Sequence, residues 1–202
     1  MSRAPYAFSK NTGGGNLIAY DTALGWRFVN PRMEALYGTD PMGVTAENIA
    51  EMTGITRLEQ DEFALTSHQR AVAAQDSGKF GEEILPVSVP QRKGDPVVIS
   101  QDERPRRDTS LEALSRLKPA FKPNGTVTAG NSSGLNDGAA AMLVMSAEKA
   151  HALGLKPMAR FISSAASGIE PRIMGLGPIE ATRRALARAG LQIGDISLAE
   201  IN

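Results

Sequence analysis

The apolar and polar positions change rhythm along the chain. Helical spacing dominates the first part, and short apolar runs alternate with helices towards the end. Residues 1–20 are polar and loop-like, with Gly13-Gly-Gly15 as a break. A short helix is expected from Asp21 to about Trp26. A clearer start follows at Asn30-Pro31, with Asn as N-cap and Pro at the first helical position, and that helix stops at Gly38. Thr45 is read as the cap of another helix, with Ile49 and Met52 on one face and Gly54 as its stop. Thr56-Arg-Leu-Glu59 is a capping box, and it opens the longest helix, to about Gln75 with Gly78 beyond.

From Glu83 the period falls to two. Leu85, Val87 and Val89 alternate with Ile84, Pro86 and Ser88, a turn follows at residues 91–95, and Val97-Val-Ile99 returns as the partner. The two prolines, Pro86 and Pro90, mark this as an edge hairpin. Thr109-Ser-Leu-Glu112 reads as a second capping box, with Leu111 and Leu114 inward. Further strands are expected at residues 139–145, 158–167 and 196–201. Ser146 caps a helix that ends at Gly154. Pro178 opens another, with Ile179, Thr182, Leu186 and Ala189 on one side and Gly190 as stop. Strand, helix and strand over residues 158–201 form a βαβ unit, which implies a parallel, layered α/β core.

Composition narrows the chemistry. Lys and Arg number 22, as do Asp and Glu, so no charged field argues for nucleic acid. The 202 residues include no cysteine, which removes disulfides and thiolate chemistry from this chain. Two histidines cannot build a zinc site alone. His68 is expected to be a surface residue, and His151 sits in the last turn of its helix, where positive charge is favourable. No signal peptide or apolar run of membrane length is present, so the chain reads as cytoplasmic. Residues 1–5 lack a pattern that begins a domain, and the last expected strand runs straight into Asn202. The chain is therefore expected to be a fragment.

Two stretches carry candidate chemistry. Residues 102–108 hold Arg104, Arg106 and Arg107, either a solvated loop or a phosphate clamp, and spacing does not choose between them. The other is Thr126-Val-Thr-Ala-Gly-Asn-Ser-Ser-Gly-Leu-Asn-Asp-Gly138, a loop of small residues before an apolar run. Glycine there lets backbone or ligand approach closely, and Ser and Asn supply short hydrogen-bonding groups. A plain structural turn would look the same.

Residues 126–141, with Met1-Ser-Arg-Ala-Pro5, Thr45-Ala-Glu-Asn48, Arg92-Lys-Gly94, Met174-Gly-Leu-Gly-Pro178 and Glu200-Ile-Asn202, resemble the thiolase family in order and spacing across essentially the whole chain. The stretch from Asp21 to Pro31 looks more like the 3-oxoadipyl-CoA branch than the biosynthetic acetoacetyl-CoA branch. The resemblance implies a layered αβαβα fold, incomplete here, with an inserted α+β loop domain over coenzyme A. Residues 5–134 would be that loop domain, 135–157 the end of the N-terminal half, and 158–202 the start of the C-terminal half. It also implies a homodimer or homotetramer, and CoA and acyl-CoA as substrates rather than a resident cofactor.

In the family a cysteine thiolate takes the acyl group of a 3-oxoacyl-CoA, releases acetyl-CoA and passes the acyl group to CoA. A histidine activates that cysteine, and a second cysteine serves as acid and base. None of these groups is in this chain, and neither histidine has the family's Gly-His-Pro context. By resemblance the catalytic position present is Asn202, which would hold an oxyanion-hole water. The CoA-binding positions would be Ser133, Ala129 and Gly134 along the pantetheine arm, Ala120 and Phe121 at the adenine and pantetheine wall, Arg106 near the nucleotide with Leu117 beside it, and Met42 over the acyl pocket. Pro41 replaces a histidine common in biosynthetic members, which points to a different acyl group. An alternative remains a non-catalytic, thiolase-like module that binds acyl-CoA or lipid.

Overall fold

The structure is a computed structural model that describes residues 3–10, 14–23 and 25–202. Expectations resting on Met1, Ser2, Gly13 or Leu24 lie outside the described residues. The described chain divides into two compact units. One is Ala46–Gly134; the other joins the residues up to Thr45 to Leu135–Asn202.

Local capping signals translate directly into helices. Helix α1 is Pro31–Tyr37, and the Asn30 side chain accepts hydrogen bonds from the backbone of Arg32 and Met33. Helix α2 is Met42–Thr53, starting three residues before the expected cap. Thr45 does not cap it. The Pro41 carbonyl accepts from Thr45 N–H, and the Thr45 hydroxyl donates to the Met42 carbonyl at 2.7 Å, a bond made inside the first turn. Gly54, at φ 73°, ends the helix in the left-handed region that glycine tolerates. Helix α3 is Arg57–Asp76, and both arms of its Thr56–Glu59 capping box are made.

The expected hairpin is present. Val87–Val89 pairs antiparallel with Val97–Ile99. After it, α4 is Leu111–Ser115. Its cap is Ser110 rather than the expected Thr109: the Ser110 hydroxyl accepts from Ala113 N–H at 3.1 Å, and Leu114 is buried.

In the second unit the N-terminal stretch is not simply a loop. Tyr6–Ala7 pairs antiparallel with Tyr20–Asp21, so Asp21 lies in a strand and the described residues from 21 to 26 include no helix. Helix α5 is Ala147–Ala152, capped by Ser146 as expected. Helix α6 is Gly177–Ala189, ended by Gly190 at φ 68°. Its half-buried face is Ala181, Ala185, Leu186 and Ala189, so Ile179 and Thr182 are not part of it. This face lies on residues 163–167, where burial alternates with period two. Ser163 and Ser167 donate to the carbonyls of Ala185 and Gly177, and Arg188 and Arg184 donate to the carbonyls of Ser164 and Ala166.

The three later strands need correction. Residues 139–145, 158–167 and 196–201 form no ladder among the described residues, and the βαβ pairing is absent there; the two sheets are two-stranded and antiparallel. Met142, Leu143 and Val144 are 81–88% exposed. A central strand needs a neighbour on each edge for its N–H and C=O groups, and hydrophobic sequence alone does not supply one.

Candidate functional site

Within Ala46–Gly134, the loop of residues 126–131 is held by two acidic side chains on helices. Glu47, on α2, is 5% exposed. Its carboxylate accepts from Thr126 N–H at 2.8 and 3.0 Å, from the Thr126 hydroxyl at 3.0 Å and from Val127 N–H at 2.8 Å. Burial alone would raise its pKa. The hydrogen bonds from Thr126 and Val127, with the charge of Lys122, outweigh burial and hold it below the ordinary value of 4.5. Gly125 leaves room for this carboxylate: a Cβ there would lie 2.2 Å from Oε1.

Asp61, on α3, is the second anchor and is 2% exposed. It accepts from Asn131 Nδ2 at 3.0 Å and pairs with Arg57 at 2.7 Å. Arg57 also donates to the carbonyls of Leu114 and Leu117, tying α4 to the same point. Asn131 bridges inward, donating to Thr126 O at 3.0 Å and accepting from Thr128 N–H at 2.7 Å. Thr128 is fully buried, and its hydroxyl accepts from the N–H groups of Gly130 and Asn131. Gly130 is bare because a Cβ would meet Leu117 at 2.5 Å and Leu114 at 2.6 Å. The loop is thus fixed on its inner side by buried polar partners, and residues 132–134 are exposed.

That exposed side borders a cleft of about 860 Å³. Its walls include Arg106, Leu117, Ala129, Ser133 and Gly134, together with His68 and Arg104. Five of the positions singled out from sequence are therefore brought together. Phe121 is 45% exposed and Ala120 is bound through its N–H to Val127 O, but neither lines the cleft. Met42 and Asn202 belong to the other unit, both exposed.

One wall residue, His68, is not among the candidate binding positions read from sequence, and Arg104 comes from the arginine cluster already read as a possible phosphate clamp. His68 is not a plain surface histidine: it is half-buried in the cleft wall, and its Nδ1 accepts from Arg106 N–H at 3.2 Å. Arg104 lies over Gly134, where a Cβ would come within 2.5 Å of the guanidinium carbon. Nothing in the sequence near His68 announces a partner 38 residues away. The arginine cluster was itself the signal for Arg104. The wall carries Glu103 and Asp108 as well as the two arginines, so its chemistry is mixed: guanidinium groups that can take phosphate, carboxylates, apolar Leu117 and short hydroxyls.

The thiolase N-terminal domain matches residues 1–148, and the thiolase C-terminal domain matches residues 155–202. The chain is 52% identical to the β-ketoadipyl-CoA thiolase of Acinetobacter baylyi, over 100% of this chain and 51% of that protein. It is 51% identical to an acetyl-CoA acetyltransferase of Chromobacterium violaceum, with the same coverage. Among solved structures, the acetyl-CoA acetyltransferase of Bacillus anthracis matches with a TM-score of 0.79 at 42% identity, covering 96% of this chain and 48% of that one. The chain spans about half the length of the relatives it matches, within an α/β fold of thiolase type. It belongs to the thiolase family.

Proposed function

We propose that this chain supplies the CoA-binding part of a thiolase that cleaves a 3-oxoacyl-CoA with CoA, giving acetyl-CoA and a shortened acyl-CoA. The observation that carries the reading is the cleft that gathers Arg106, Leu117, Ala129, Ser133 and Gly134 against a loop anchored by Glu47 and Asp61. Arg106 would meet the nucleotide phosphates, and Leu117, Ala129, Ser133 and Gly134 would line the pantetheine arm. Asn202 would hold the oxyanion-hole water. Residues 5–134, 135–157 and 158–202 are the divisions we propose for the loop domain and the two halves, in a homodimeric or homotetrameric cytoplasmic enzyme. The nucleophile is not supplied by these 202 residues, which contain no cysteine.

3-Oxoadipyl-CoA is the substrate this reading favours, from the Asp21-to-Pro31 stretch and Pro41. Grafting residues 1–202 in place of the matching segment of the Acinetobacter baylyi enzyme tests it. The expected result is CoA-dependent cleavage of 3-oxoadipyl-CoA, faster than that of acetoacetyl-CoA. A folded graft without turnover, or with acetoacetyl-CoA preferred, would overturn the substrate proposal. CoA binding by the chain without turnover in the graft would favour the non-catalytic module instead.

A further inference from the structure

We propose that His68 is a positioning residue for the nucleotide end of the ligand, acting through the backbone of Arg106; this rests on the CoA reading above. Helix α3 presents His68, Gln75 and Asp76 at separations of seven and eight residues, two turns along one face. Each grips the arginine-bearing loop at a different point. Gln75 Nε2 donates to Asp102 O at 3.1 Å. Asp76 takes both terminal nitrogens of Arg107, at 2.9 and 2.7 Å. His68 Nδ1 accepts from Arg106 N–H at 3.2 Å.

The three contacts are not equivalent. The Asp76–Arg107 pair is exposed on both sides, at 57% and 59%, and anchors the loop from outside. Of the three gripping side chains, only His68 lines the cleft, and it fixes the residue whose guanidinium would meet phosphate. Accepting at Nδ1 requires the imidazole proton to sit on Nε2. The tether holds the Arg106 backbone before ligand arrives, so binding does not draw on a loop that is only fractionally in place. Pantetheine, which lacks the nucleotide, does not use this arrangement.

Isothermal titration of CoA and of pantetheine into the full chain tests the idea, alongside hydrogen exchange at the Arg106 amide. His68→Leu removes the acceptor. His68→Asn keeps an oxygen close to the Nδ1 position. One hydrogen bond supports a loss of about tenfold in CoA affinity for His68→Leu. Pantetheine affinity should stay unchanged, and His68→Asn should recover CoA affinity to within about twofold. The Arg106 amide should exchange faster in His68→Leu alone. Equal CoA affinities for His68→Leu and the unsubstituted chain would overturn the inference, as would equal losses for CoA and pantetheine. Should His68→Leu not fold, His68→Phe keeps a planar ring without the acceptor, and an unchanged CoA affinity there overturns it too. An unsubstituted chain that binds no CoA removes the proposed function and this inference together, which separates the two failures.

Discussion

Replacing Glu47 with alanine would strip the loop of residues 126–128 of its inner support, and the structure sets the size of the effect. The carboxylate accepts from two backbone N–H groups and one hydroxyl, all between 2.8 and 3.0 Å, while 5% exposed. Removing it leaves the N–H groups of Thr126 and Val127 facing a small void, at about 1–3 kcal/mol for each unsatisfied donor. Non-additivity between neighbouring donors brings the expected total to about 3 kcal/mol. That corresponds to roughly a hundredfold faster exchange at these amides if they open locally. Hydrogen exchange by mass spectrometry or NMR on the full chain reads this directly, with the amides of α6 as an internal control. Exchange at Thr126 and Val127 within about threefold of the unsubstituted chain would refute the claim that Glu47 holds the loop. Glutamine at position 47 keeps one acceptor oxygen and should fall between the two.

The same carboxylate sets a pH dependence. Its folded-state pKa lies below its unfolded value, so its contribution is complete above the ordinary 4.5 and drains away as pH falls through the lower folded value. Loop protection should therefore hold at pH 6 and decline in acid below about 4.5, and Glu47→Gln should flatten that decline. Asn131→Ala would leave Thr128 N–H without its acceptor and take from Asp61 the donor on Oδ1, lowering both loop protection and CoA affinity; unchanged values for both would refute the bridge. Gly130→Ala would push a methyl to 2.5 Å from Leu117 and 2.6 Å from Leu114, costing about 1–3 kcal/mol in chemical denaturation. The 202-residue chain alone should bind the apolar dye ANS strongly and show no thiolysis, since the apolar run Met142, Leu143 and Val144 is 81–88% exposed and the chain has no thiol; measurable cleavage of 3-oxoadipyl-CoA by it would refute the second part.

Sequence by itself determined what is local. Asn30, Thr56 with Glu59, Ser146, and the glycines at 38, 54 and 190 mark helix ends because a cap is a bond between residues two to five apart. The hairpin was legible for the same reason, its two strands lying within about a dozen residues. The 126–138 stretch also marked itself by composition, and its resemblance led to five residues that share the cleft wall. Tertiary structure decided what depends on distant partners. Glu47 reaches Thr126 across 79 residues, Asp61 reaches Asn131 across 70, and His68 reaches Arg106 across 38. None of these side chains differs in sequence from an ordinary exposed helix residue. The apolar runs at 139–145, 158–167 and 196–201 fail for the converse reason. Alternation and hydrophobicity specify a strand's faces, whereas its edges are satisfied only by neighbouring backbone, and no such neighbour lies among the described residues.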